Sequence, residues 1–205
     1  MKKTLAFLLA AMLLIGSIPA LADSSFIGIG SVVTFGSYEQ DNRPGNGKEP
    51  IQWIVLDVWG NNALLLSTYV LDSQPYNTST YAVKWNNCTL NSWLNYNFLN
   101  MAFTAQEQRS IYSMLSDQVF LLSYDEVRQY VRGRDLYGYP TAYAMSRGVY
   151  ADSYNNVSWW WLRSTGTREN QAYGVNTKGV INEYHMRKES GGIRPAVWVN
   201  TRALR

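Results

Sequence analysis

Two strand-like runs near the C-terminus hold the residues best suited to meeting another molecule. In Ser158 to Ser164 (SWWWLRS), alternation puts Trp159, Trp161 and Arg163 on one face and Ser158, Trp160 and Leu162 on the other. In Ile193 to Asn200 (IRPAVWVN), Arg194, Ala196 and Trp198 share a face. If the two strands are neighbours, Arg163 and Arg194 stand among Trp161 and Trp198. Guanidinium groups over indole faces could stack on a sugar ring or grip a carboxylate. The competing reading is a structural arginine pair with its donors satisfied beneath the loops. A second candidate surface lies in the segment 132–157, where Tyr137, Tyr139, Tyr143, Tyr150 and Tyr154 are interleaved with Arg132, Arg134 and Arg147. Tyr and Arg anchor recognition surfaces, and a Tyr-rich loop can equally pack over its own core. Tyr137 and Tyr139 join Trp161, Arg163, Arg194 and Trp198 as the candidate binding residues.

Catalytic spacing is absent from the sequence. Cys88 is the only cysteine and His185 the only histidine, about a hundred positions apart, whereas a thiolate nucleophile needs a base beside it. Between Asn87 and an apolar-periodic stretch, Cys88 reads as a small buried hydrophobe. Asp72, Asp125, Glu126, Asp135, Asp152 and Glu183 could include an acid–base pair, yet nothing in their spacing selects one. No run has metal-ligand spacing, so no catalytic residue, metal or cofactor is expected.

The elements that position these residues are legible in outline. Ile51 to Val58 reads as a strand and Ala63 to Leu71 as a second, with Gly60-Asn61-Asn62 turning between them. Leu90, Trp93, Leu94, Phe98 and Leu99 have helical spacing, with Asn86 or Asn87 as the cap. Thr104-Ala105-Gln106-Glu107 and Ser123-Tyr124-Asp125-Glu126 both fit the capping box that opens a helix. Val119 to Leu122 reads as a short buried strand. A short helix is expected from Pro140-Thr141 through Met145. Ala172 to Val175 and Val180 to Tyr184 form a hairpin across Asn176-Thr177-Lys178-Gly179. Pro195 within the last strand implies an edge position or a bulge. Helices in the middle with antiparallel strands around them give an α+β fold.

Composition narrows the function classes. Aromatic residues make up 14% of the chain, with 15 Tyr and 8 Trp. Lys2 and Lys3, the apolar run Leu5 to Ile15, and Ala20-Leu21-Ala22 have the order of a secretory signal peptide, expected to span residues 1–22 and leave a single domain over 23–205. That apolar run is too short and interrupted to span a bilayer. Losing both lysines lowers the formal net charge from +3 to nearly neutral, which gives little attraction for polyphosphates. Nucleic acid is therefore excluded as a partner, as is stable membrane insertion once the signal is removed. With one cysteine, no intramolecular disulfide can form.

In order, Pro50-Ile51-Gln52-Trp53-Ile54-Val55-Leu56, Leu64-Leu65-Leu66-Ser67 and Leu71-Asp72-Ser73-Gln74-Pro75-Tyr76-Asn77 are followed by Trp85-Asn86-Asn87-Cys88-Thr89-Leu90, Trp93-Leu94-Asn95 and Ala102-Phe103-Thr104. Trp160-Trp161-Leu162-Arg163-Ser164 and Gly192-Ile193-Arg194-Pro195-Ala196-Val197-Trp198 close the series. From roughly residue 28 to the C-terminus the chain resembles the bacterial domain-of-unknown-function family 6273, a family that implies no activity. The closing Trp-rich strand and Gly-x-Arg-Pro-Ala are also similar to the C-type-lectin-like fold of formylglycine-generating enzymes. The paired cysteines of that enzyme branch are absent here, so its oxidase activity does not carry over. Nor does the chain contain the Glu-Pro-Asn type of motif by which lectins hold sugar and calcium. Together these readings give a secreted or envelope-associated, C-type-lectin-like domain that binds an extracellular glycan or protein. The alternatives are a secreted carboxylate-dependent glycan hydrolase and a structural domain of the cell envelope.

Overall fold

The computed structural model describes residues 27–204 apart from Thr80 and 114–116. The signal peptide expected at 1–22 lies outside the described residues. Strand β1 (Val32–Tyr38) enters a sheet with β2 (Glu49–Trp59) and β3 (Asn62–Ser67). Then come two-residue strands β4 (Tyr69–Val70) and β5 (Asp72–Ser73), and helix α1 (Thr89–Trp93), which runs through a π-turn at Leu94–Phe98 into α2 (Leu99–Ala102). Next are α3 (Ala105–Gln108), β6 (Ile111–Tyr112), α4 (Tyr124–Tyr130), β7 (Tyr139–Pro140) and α5 (Ala142–Ser146). The chain closes with β8 (Trp160–Thr165), β9 (Gln171–Val175), β10 (Ile181–His185), β11 (Gly192–Ile193) and β12 (Ala196–Asn200). One five-stranded sheet has the order β1-β2-β3-β12-β6, the other β10-β9-β8-β11-β5, and β4 pairs with β7. The class is α+β, as expected.

Local chemistry explains most boundaries. Thr104 and Ser123 each accept from the amide three residues on, and Glu107 and Glu126 reach back to the cap amides, so both capping boxes form. Thr141 caps α5 in the same way through Ala144 N. The cap of α1 is neither Asn86 nor Asn87 but Cys88, whose Sγ accepts from Asn91 N at 3.3 Å. Gly179, at φ +75°, turns the β9–β10 hairpin in the left-handed region expected of it.

Three strand expectations need correction. The second strand ends at Ser67 rather than Leu71, because the chain there leaves the first sheet for β4 and β5. Val119 to Leu122 is buried, but among the described residues its one bridge is Phe120 to Ala196, so packing holds it rather than a ladder. The last strand is broken: β11 belongs to the second sheet, β12 to the first, and Arg194-Pro195 carries the chain across. Pro195 is thus neither on an edge nor in a bulge; its missing N–H falls where the ladder is interrupted in any case.

The two crossings lie side by side. Ser67 N donates to Pro195 O at 3.0 Å and Leu71 N to Ile193 O at 2.9 Å. Where β3 stops, the carbonyls of Ser67 and Thr68 lose their ladder partners, and the Arg194 guanidinium replaces them. The core around this seam is aromatic. Trp53, Trp160 and Trp161 are fully buried, and each indole N–H is taken by a backbone carbonyl: Phe35 O at 2.7 Å, Leu136 O at 3.1 Å and Gln74 O at 3.0 Å.

Candidate functional site

The structure separates the residues expected to form one patch. β8 and β12 lie in different sheets and are not neighbours. Trp161 is fully buried, edge-on to Trp159 with centroids 4.7 Å apart and to Tyr76 at 5.7 Å. Arg194 is also fully buried. Its Nε donates to Ser67 O at 3.1 Å, its Nη atoms to Asp135 O at 2.6 Å and Thr68 O at 3.4 Å, and it stacks over Trp160 at 4.8 Å. Burial in this dry seam lowers its pKa to about 10, with the Asp135 charge acting weakly the other way. Neither residue is open to an outside molecule: both are fully buried, with Trp161 Nε1 taken by Gln74 O and the Arg194 donors by the carbonyls of the sheet crossing and Asp135.

Arg163 is half-buried. It forms a fork with both oxygens of Glu126, donates to Leu121 O at 2.9 Å and lies over Phe120 at 5.4 Å. It lines a cleft of about 320 Å³ with Trp85, Asp117 and Phe120, but its guanidinium is committed to holding α4 on β8. Tyr137 is half-buried beside the Gly179 turn. Tyr139 is 45% exposed and opposite Tyr69 in the β4–β7 pair. Trp198 is half-buried on β12, on the outward side of the first sheet.

The acids and the thiol have structural employment. Burial pushes the Cys88 thiol up to about 11, away from thiolate chemistry, while His185 is exposed on β10. Asp72 is buried, accepting from Tyr38 Oη at 2.6 Å and Ser73 N at 2.6 Å, with Arg147 Nε 3.7 Å away; burial raises its pKa despite those partners. Glu183 accepts from Thr167 N and Oγ1. Asp152 accepts from the amides of Tyr154 and Asn155. Glu39, Asp41 and Glu49 bring carboxylate oxygens within 4.8 Å of one another. Those oxygens accept from Gln40 N, Asp41 N, Arg43 N and Asn46 Nδ2, so the cluster closes the turn after β1.

The surface that sequence reasoning missed surrounds Trp198. Register fixes which side chains share a face of the first sheet. Val58, Ala63, Val199 and Ile111 form one cross-strand row, turned to the core. Asp57, Leu64, Trp198 and Tyr112 form the adjacent row on the opposite face, and Trp59 lies beside Asn62 one step further along. That second face is buried at Ile54, Leu66 and Ala196 but opens at this corner, where Trp59 is 72% and Tyr112 54% exposed. Asp57, Trp59, Asn62, Tyr112, Ser113 and Trp198 line a cleft of about 480 Å³.

A bulge creates the corner. Trp53 pairs with Ser67 and Val55 with Leu65, but Asp57 then pairs with Leu64, so Leu56 is an extra residue in β2. Unbroken alternation would have turned Asp57 and Trp59 inward with Trp53 and Val55. The shift sends them outward and brings Val58 in. At a strand spacing of about 4.8 Å, Tyr112 on β6 lies about 14 Å across the sheet from β2. The corner thus gathers three aromatic rings with an acid, an amide and a hydroxyl among them. The composition of the strands gave one usable signal, two tryptophans at strand ends beside polar residues, but not the bulge that joins them.

The family described as a domain of unknown function (DUF6273) has a model that matches residues 60–115 and 112–201. No curated protein and no solved structure matches the chain.

Proposed function

Because the chain belongs to the domain-of-unknown-function family DUF6273, which brings no activity with it, we propose from the site itself that it is a non-catalytic binding module for an extracellular glycan. The observation that carries this reading is the open corner of the first sheet, with Trp59, Tyr112 and Trp198 on one face and Asp57, Asn62 and Ser113 among them. Sugar rings have an apolar C–H face that stacks on indole and phenol rings, and hydroxyl edges that need acceptors and donors close by. The width of the row favours a short oligosaccharide over a single ring.

The cleft at this corner is lined by a single carboxylate, that of Asp57. That favours binding over two-carboxylate hydrolysis. Export of a domain spanning 23–205 by a signal peptide at 1–22 belongs to the same proposal and is supported by the residue order at the N-terminus. A C-type-lectin-like relationship is supported by the Trp-rich strand and the Gly192-Ile193-Arg194-Pro195-Ala196 sequence alone.

Calorimetric titration with soluble oligosaccharides tests the reading. A sugar ring that covers roughly 50 Å² of an indole contributes about 1.3 kcal/mol at 25 cal/mol per Å², close to tenfold in affinity. Trp59→Ala and Trp198→Ala should therefore each weaken binding about tenfold. An affinity unchanged in the double variant, or no binding to any of the sugars, overturns the proposal.

A further inference from the structure

We infer that the corner discriminates among glycans by charge, preferring chains of amino sugars with free ammonium groups to neutral chains and disfavouring uronic-acid chains; this rests on the glycan-binding reading above. Asp57 is the one charged residue lining the cleft, whose other lining groups are Val58, Trp59, Asn62, Tyr112, Ser113 and Trp198. Its Oδ1 accepts from Val58 N at 2.8 Å, which fixes the carboxylate on the bulge. The two ion pairs among the described residues are Arg147 with Asp72 and Arg163 with Glu126, both elsewhere. Asp57 therefore meets the cleft as an oriented, half-buried acceptor whose charge no side-chain cation in the cleft neutralises.

The neighbours sharpen this preference. The Tyr130 phenol at the end of α4 is a hydrogen-bond donor to the Asp57 carboxylate; burial first, and then that bond and charge, raise its pKa, so it stays a neutral hydroxyl and leaves the carboxylate its charge. The Asn62 amide and the Ser113 and Tyr112 hydroxyls serve any sugar's hydroxyls. A sugar hydroxyl is a neutral donor to the Asp57 carboxylate. An ammonium at the same ring position has three donors and a full positive charge, so the contact becomes an ion pair beside low-dielectric aromatic walls. A uronate there meets a like charge beside low-dielectric aromatic walls.

The test is titration of the protein with hexasaccharides of glucose, N-acetylglucosamine, glucosamine and galacturonic acid at low salt. Glucosamine should bind about tenfold tighter than glucose, with galacturonate the weakest. Asp57→Asn retains an oxygen for Val58 N and should bring glucosamine down to the level of glucose, whereas Trp59→Ala should weaken all the chains that bind. Added salt should shrink the gap between glucosamine and glucose and leave the glucose affinity unchanged. If glucose binds in a Trp59-dependent way but glucosamine binds no tighter, or if the preference survives in Asp57→Asn, the charge inference fails and the glycan reading stands. If no hexasaccharide binds, both fall.

Discussion

Replacing Arg194 by Met keeps much of the side-chain volume and removes the charge and all the donors. Three backbone carbonyls lose their partner, those of Ser67, Thr68 and Asp135, at about 1–2 kcal/mol each for the closer ones. The stacking on Trp160 at 4.8 Å adds up to about 2 kcal/mol in a dry site. Against this, the variant no longer buries a cation. The lowering of the guanidinium pKa to about 10 corresponds to about 3 kcal/mol in the variant's favour. The net expectation is a loss of about 1–3 kcal/mol, read as a lower urea midpoint with an unchanged slope. Arg194→Lys should cost nearly as much, because a single ammonium cannot serve three carbonyls spread along one seam. A loss below about 1 kcal/mol in both variants would mean that water satisfies those carbonyls without Arg194, and the account of the sheet crossing would be wrong.

Glu126 both caps α4 and forks with Arg163, each about one-fifth exposed, so a Glu126→Gln and Arg163→Met double-mutant cycle in urea should give a coupling of about 1–2 kcal/mol, larger than for a surface pair. At Gly191 an added Cβ would lie 2.0 Å from Trp161 Nε1, whose hydrogen bond to Gln74 O fixes the ring; Gly191→Ala should cost about 2–3 kcal/mol by thermal melting. Burial, and for Tyr38 also the adjacent Asp72, holds the phenols of Tyr38 and Tyr76 well above 10.0 and the Cys88 thiol up at about 11 from 9.0. With native values raised, stability complete below about pH 9 is lost as pH rises, at up to about 1.4 kcal/mol per pH unit for each tyrosine above pH 10. Arg194, with its value lowered, works the other way above about pH 10, and the two tyrosines outweigh it; urea midpoints from pH 8 to 11 should fall, and Tyr76→Phe should flatten the slope.

What could be read before folding was whatever local chemistry decides. Thr104 with Glu107, Ser123 with Glu126 and Thr141 before α5 satisfy backbone donors within one turn, so their signals survive any tertiary arrangement. The Gly179 hairpin is equally local. Positions where long-range geometry overrides a pattern were hidden. The run from Ile193 to Asn200 alternates like one strand, yet Arg194-Pro195 carries it from one sheet to the other. Val119 to Leu122 is apolar because it is core, and nothing in its four residues says that no ladder meets it. The site suffered most. Trp161 and Arg194 have the types of recognition residues but serve the core: Arg194 holds the carbonyls of the sheet crossing, and Trp161 packs on Trp159 and Tyr76. Trp59 was overlooked because one inserted residue at Leu56 inverts the faces of β2 after Val55.

The eight indole N–H groups allow the glycan surface to be located in a single experiment. Proton–nitrogen spectra recorded during titration with a glucosamine hexasaccharide should move the indole signals of Trp59 and Trp198, on the open corner, and leave those of Trp53, Trp160 and Trp161 in place inside the core. Shifts centred on any other tryptophan, or eight unmoved signals at saturating sugar, would contradict the assignment of that corner as the binding site.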